Sequence, residues 1–371
     1  MNPSTLLVQE RRDRLHETMA AADIDLLAIA GDAWRCDYLR YATGVAVLEG
    51  NAVAFIERDG GVHLIVESPG EATRFANEQP EIRISCVASA AAEAERIINA
   101  SRHRKVALGP RPGLPYRLAK GEAGGSVAKT TAMLDKLMLQ KTPAELTAYR
   151  RASQLADEGY KVFLDGIKIG KPEYQLVAGV EAFYRANGCA ENFQILGSGG
   201  VDMRGMHPPG DNKVKAGDLV TTELTPCVEG YYAQICRTAV VGEPTKMQQR
   251  VLDIYSEALA AGIDVVKPGI RACDIAKAEN DVFRKFGLGE YVTSAYTRVR
   301  GHGLGLYTDA RPAILEDVEM VIEENMTLVV HPNTYNPDVG YFVLGDSIIV
   351  TKNGCEVLTK TPRQLFSVTG H

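Results

Sequence analysis

Over its first third the chain alternates short apolar runs with polar-faced stretches. The runs at 25–30, 52–56, 62–66 and 105–108 are dense in Leu, Val, Ile and Ala and are bounded by charged or Gly-containing segments, which predicts strands. Helices are predicted between them at 71–77 and 90–100, with Ser89 as the N-cap of the second. At Thr142-Pro143-Ala144-Glu145 the punctuation changes. Thr142 can cap, Pro143 fits the first helical position and Glu145 completes a capping box, so a helix runs from here toward Gly166. A second helix is predicted from Pro172 to Asn187-Gly188, where a left-handed cap fits. A third opens on the capping box Thr245-Lys246-Met247-Gln248, places Val251, Ile254, Tyr255, Ala258 and Leu259 on one face, and stops at Pro268-Gly269. A fourth covers 272–286 and ends at Gly287. Strand-like segments fall at 193–196, 219–224, 232–241, 327–331 and 341–351. The pattern predicts an α/β layer domain over 1–135 and a mixed α+β domain over 136–371, in which helices followed by paired strands occur twice.

Composition narrows the classes of function. With 371 residues, 45% hydrophobic and 24% charged, the chain suits a globular protein of two domains. A net charge of −6 and the absence of a Lys/Arg block exclude a nucleic-acid surface; Arg102-His103-Arg104-Lys105 is a short solvated turn before an apolar run. No apolar run approaches the ~20 residues that span a bilayer, and the first ten residues lack a secretory pattern. Seven cysteines without a C-x-x-C pair read as reduced thiols, so a cytoplasmic location is expected.

The second domain carries an ordered set of landmarks. These are Met206-His207-Pro208, Gly217-Asp218-Leu219-Val220, the run from Pro226 through Tyr231-Tyr232 to Arg237-Thr238, Lys267-Pro268-Gly269, Gly301-His302-Gly303-Leu304-Gly305, and Ser347-Ile348-Ile349-Val350-Thr351. Their order and spacing resemble the creatinase / prolidase / aminopeptidase P family. That resemblance implies an N-terminal creatinase-type α/β domain followed by a C-terminal pita-bread domain. It also implies a homodimer, with the segment 34–51 helping to shape the partner's pocket.

In metal-dependent members of that family two aspartates, a histidine and two glutamates hold a pair of divalent metals. In this chain those positions fall on Glu223, Gln234, His302, His331 and Gly345. A hard dinuclear site needs several anionic oxygens, and one anion remains. Three of the four histidines beyond residue 140 (His207, His302 and His331) nevertheless fall on positions that line the family's site. The pattern looks closest to creatinase, which works without metal. On that resemblance His207 is the proton-transfer residue, suited by an imidazole pKa near neutrality. Glu223, His302 and His331 complete the catalytic set. Creatine itself is excluded as substrate, because the glutamate that binds its guanidinium-like part is Cys236 here.

Substrate contacts are expected from Tyr232, Gln234, Arg300 and Asp309, with Arg204 and Arg298 as further candidates to clamp a carboxylate. The leading expectation is therefore a cofactor-free hydrolase that cleaves an amide or amidine C–N bond in a small polar molecule, with elimination as a variant. Three alternatives stand beside it. They are one divalent transition metal held by Glu223, His302 and His331, a conventional Xaa-Pro peptidase, and a non-catalytic binding module.

Overall fold

The structure, a computed structural model, describes residues 3–120 and 124–369. It divides into two compact units, Met1–Ala144 and Glu145–His371. The division lies beyond the 135/136 boundary expected from the sequence. The reason is local: helix Gly124–Leu139 runs through that point and a helix cannot be split between two cores.

The first unit holds α1 (Pro3–Ala21), β1 (Leu26–Asp32), α2 (Asp37–Thr43), β2 (Asn51–Glu57), β3 (Val62–Val66), α3 (Pro69–Glu78), β4 (Arg83–Cys86), α4 (Ala90–Ala100), β5 (Val106–Gly109), α5 (Tyr116–Ala119) and α6 (Gly124–Leu139). Its strands form one mixed sheet in the order β4-β3-β2-β1-β5. The central strands are buried almost throughout, and Leu26, Ala28, Phe55, Ile65 and Leu108 pack with Ala90 and Ala94 of α4. The cap expected at Ser89 is present, accepting from Ala92 N–H, and Ser68, which the sequence reading did not single out, accepts from Glu71 N–H.

The second unit opens on α7 (Pro143–Gly166) and α8 (Glu173–Ala186). It continues through β6 (Asn192–Gly199), β7 (Leu219–Val228), β8 (Tyr231–Tyr232), β9 (Ile235–Val241), α9 (Lys246–Val265), α10 (Ala272–Lys285), β10 (Gly301–Gly303), β11 (Ala310–Ala313), β12 (Thr327–Val330), β13 (Thr334–Asn336), β14 (Gly340–Phe342), β15 (Asp346–Thr351), β16 (Gly354–Val357) and β17 (Phe366–Val368). Two main sheets result, β17-β9-β7-β6 and β11-β10-β12-β15-β16, with β13-β14 as a separate ribbon. The capping box of α9 is formed as its sequence predicts: Thr245 accepts from Gln248 N–H while the Gln248 side chain accepts from Thr245 N–H. Its inner face seats Tyr255 between Phe283 of α10 and Phe342 of β14.

Two predicted strands are broken in the structure. The run 232–241 is interrupted at Ala233-Gln234, and the run 341–351 at 343–345. Both breaks lie where the two sheets approach each other. There Cys236 N–H donates to Gly345 O at 3.2 Å and Gly345 N–H donates to Cys236 O at 3.0 Å. This bridge ties the two sheets together while Cys236 keeps its pairing with Glu223 within its own sheet.

Candidate active site

The five positions carried over from the family gather around the bridge between the sheets and line one polar crevice. Glu223 is on β7, paired across to Ile195 on one side and Cys236 on the other. His302 is the middle residue of β10, opposite Val329 of β12. His331 immediately follows β12, where its N–H donates to Arg300 O at 3.1 Å. The structure brings the two imidazoles together: their ring centroids lie 5.6 Å apart, edge to face.

Burial dominates the chemistry of these groups. Glu223 is 9% exposed, and loss of solvent pushes its carboxyl up to about 7. Hydrogen bonds from Asn333 and Cys236 work in the opposite direction, and the charge of Asp309 adds to the rise. Asn333 Nδ2 donates to Glu223 Oε1 at 2.7 Å, while Asn333 Oδ1 is held by Leu344 N–H at 3.0 Å. His331 is lowered well below an ordinary histidine by burial, then by His302 and Arg300, and its Nδ1 is buried without a hydrogen-bond partner. Burial also lowers His302, against a hydrogen bond to Gly303. A carbonyl only accepts, so the 3.0 Å contact from His302 Nδ1 to Gly303 O fixes the proton on Nδ1 and leaves Nε2 as a lone-pair donor. At neutral pH the crevice thus holds two neutral imidazoles and a carboxyl poised between its two forms.

The other predicted residues fall into different places. The Gln234 amide is locked inside, accepting from Thr225 Oγ1 at 3.3 Å and donating to Cys236 Sγ at 3.4 Å. Tyr232 points its hydroxyl to Glu191 at 2.6 Å. Arg300 is fully buried and donates to Asn280, Val299, Thr297 and Asn333 O, so it organises the crevice from behind instead of facing a ligand. Asp309 is exposed, with Oδ1 3.8 Å from His302 Nδ1. His207 is exposed at the edge. Its Nδ1 donates to Pro208 O at 2.9 Å and lies 3.8 Å from the buried Glu173; none of its described contacts is to Glu223, His302 or His331. The sequence reading missed Asn333 and Glu173. Neither sits in a landmark, and only the folded loops show what they hold.

A metal at this site has to be judged by the donors. Gly345 offers none, and a Cβ there would stand 2.5 Å from His331 Cβ, 2.9 Å from Val330 O and 3.1 Å from Cys236 Sγ. The space of a fifth ligand is filled by His331 and Cys236. Gln234 is neutral and internally bonded. Among the described residues no group of three or more His, Cys, Asp or Glu side chains is disposed to hold a metal ion, and this includes Glu223, His302 and His331 taken together. The donor set does not fit a two-metal cage.

Comparison with known proteins decides the family. The model of metallopeptidase family M24 matches residues 147–352, more than half of the chain. The chain belongs to family M24. It is 30% identical over 268 residues to an Xaa-Pro dipeptidase of Pyrococcus horikoshii, covering 70% of this chain and 74% of that protein. A second Xaa-Pro dipeptidase, from Lactobacillus helveticus, is 28% identical over 67% of this chain and 68% of its own length.

Among solved structures, the prolidase of Pyrococcus horikoshii superposes with a TM-score of 0.79 at 26% identity, covering 96% of this chain and all of that one. The X-Pro aminopeptidase of Thermotoga maritima superposes with a TM-score of 0.83 over 96% of this chain and 99% of that one, at 21% identity, a likeness of fold. The pita-bread architecture and a family of C–N bond hydrolases are thereby established for this M24 chain. The cofactor-free expectation is corrected by the same finding, since the family is one of metallopeptidases and the relatives are Xaa-Pro dipeptidases. The creatinase-like reading likewise yields to the Xaa-Pro peptidase alternative. No helix among the described residues is long and apolar enough to cross a membrane.

Proposed function

We propose that this M24 protein hydrolyses the C–N bond of a short, dipeptide-sized amide of the Xaa-Pro class, with Glu223 as the group that accepts and returns the proton. The observation that carries this is Glu223 itself: a buried carboxyl raised to about 7, with one oxygen held by Asn333. A general base is most effective when its pKa lies near the working pH, because both protonation states are then available. Glu223 would take a proton from the attacking water and deliver it to the leaving nitrogen. His302 and His331 would hydrogen-bond the substrate's polar atoms. His207, outside the crevice, serves as an edge residue in this scheme. Purified protein offered Ala-Pro and Gly-Pro should release proline, and Glu223→Gln should abolish that release; unchanged release by the variant would refute the assignment.

We also propose a homodimer. Trp34 and Leu48, within the segment 34–51, are 93% and 67% exposed, an apolar surface suited to cover by a second copy. Sedimentation at micromolar concentration should give the dimer mass, and a fully active monomer would refute it.

A further inference from the structure

The arginines beside the landmarks are accounted for: Arg298 donates to Asp317, Arg300 to Asn280 and three carbonyls, and Arg204 lies over the Tyr335 ring. The basic turn Arg102-His103-Arg104-Lys105 of the first unit is only partly so. Arg104 donates to Glu57 and to Asp25 O, and Lys105 pairs with Asp23. Arg102 donates to the Asn99 amide at 3.1 Å and has no carboxylate partner among the described residues. Lys120, just past α5, likewise has none. Two cations without an acid stand out in a chain whose net charge is −6.

These two cations border the same cavity. β5 is the outer strand of its sheet, beside β1, and residues of β5, α4 and α5 line a space of about 550 Å³, within the range that takes a small molecule. The floor is aliphatic: Leu108 and Leu118 are buried, and Ile98 and Val106 pack against that core with part of their surface open. The rim holds Arg102, Arg104, Arg117 and Lys120 against one carboxylate, Glu95. Glu95 is already taken by Arg117 Nε, a contact that fastens α5 to α4. The two terminal nitrogens of Arg117 have no partner among the described residues.

We propose that this cavity is a ligand site of its own, which binds a phosphate monoester carried on a short aliphatic group. The rim selects the head. A carboxylate fills one guanidinium fork, whereas a phosphate monoester brings up to about two negative charges and three acceptor oxygens, enough for Arg102, Lys120 and the free edge of Arg117 together. The floor selects the body, since its described residues are four aliphatic side chains with no aromatic ring on which a base could stack. All of these residues lie in the first unit and none belongs to the crevice, so the assignment stands independently of the hydrolytic reading.

The test is calorimetric titration of the full chain with hexyl phosphate, inorganic phosphate and hexanoate. Wild type should bind hexyl phosphate at least ~10-fold more tightly than either of the others, because inorganic phosphate lacks the aliphatic contact and hexanoate the second charge. Arg102→Gln combined with Lys120→Gln, both at exposed positions, should weaken hexyl phosphate by ~10-fold or more. Ile98→Ser should weaken hexyl phosphate and leave inorganic phosphate unchanged, a split that general loss of structure would not produce. Arg96→Gln, on α4 but outside the wall, and Glu223→Gln, in the crevice, should both bind as wild type does. The proposal is overturned if hexyl phosphate does not bind at millimolar concentration, or if inorganic phosphate or hexanoate binds as tightly. It is equally overturned if the double variant binds like wild type, if Ile98→Ser weakens both phosphates alike, or if Arg96→Gln or Glu223→Gln weakens binding as much as the double variant does.

Discussion

Two buried polar clusters adjoin at the bridge between the sheets, and they are built in opposite ways. Around Arg237 and Asp346 every charge is met. Arg237 donates to Gly345 O and Asp346 Oδ1, both at 2.7 Å, and to the carbonyls of Thr361 and Pro362, while Asp346 also takes Thr359 and Arg363. Burial alone would raise the Asp346 carboxyl, yet Arg237 and Arg363 outweigh it and hold it below the usual range. On the neighbouring strands, one residue beyond Thr222 and Val330 that pair with Arg237 and Asp346, Glu223 is raised to about 7 and His331 keeps an orphaned ring nitrogen. Both places are buried, so the difference lies in partners. The first cluster is a fastening; the second leaves its polar groups for something that arrives.

The largest effects should separate the two clusters by kind. Arg237→Met leaves buried Asp346 with Arg363 and Thr359 alone and should cost roughly 3–5 kcal/mol in denaturant unfolding. Glu223→Gln should instead fold normally and lose ~10²–10⁴-fold in kcat. If Arg237→Met stayed stable, or Glu223→Gln unfolded, the contrast between scaffold and site would collapse.

A smaller effect is expected where the clusters touch. Gly345→Ala drives a methyl group against His331, Val330 O and Cys236, and should cost about 1–3 kcal/mol, read as a lowered Tm. An unchanged Tm would mean that the two sheets part easily at this point.

Stability against pH gives a subtler test. The folded carboxyl of Glu223 keeps its proton to about pH 7, whereas an unfolded one releases it in the ordinary acidic range. Between those limits the folded state holds more protons, so the stability Glu223 contributes is full at low pH and is lost as pH rises through about 7. Glu223→Gln should remove that decline and be more stable than wild type at pH 8, by on the order of 3 kcal/mol. The imidazoles of His302 and His331 act with the opposite sign: lowered by burial, they contribute stability near neutrality that is lost as pH falls below their unfolded values. Smallest of all should be His207→Asn, whose effect on kcat is expected to fall well below that of Glu223→Gln, because its ring is exposed and touches Pro208 instead of the crevice.

Much of the fold was legible because local chemistry announces itself. The capping box at Thr245, the N-cap at Ser89 and the left-handed glycines after α8 and α10 are short-range signals, and the folded chain uses them. Less legible were α1 and α6. Within α6, Ala, Lys and Thr blur the periodicity, and its boundary role depends on a core that the sequence does not display. In the site, Glu223, His302 and His331 were found through the resemblance of the landmarks around them to a known family, which marks strand positions without showing what surrounds them. Arg300 could not be sorted from Arg204, because the two differ only in the acceptors that surround them after folding. Asn333, likewise, is one amide among many until Leu344 and Glu223 are seen to hold its two ends.

The central claim is that Glu223 handles the proton, and the pH dependence of kcat/KM on Ala-Pro in wild type and Glu223→Gln tests it most directly. Wild type should show a limb close to pH 7 that disappears, together with nearly all activity, in Glu223→Gln. An active Glu223→Gln enzyme that kept the same limb would contradict the account and return the proton to another group.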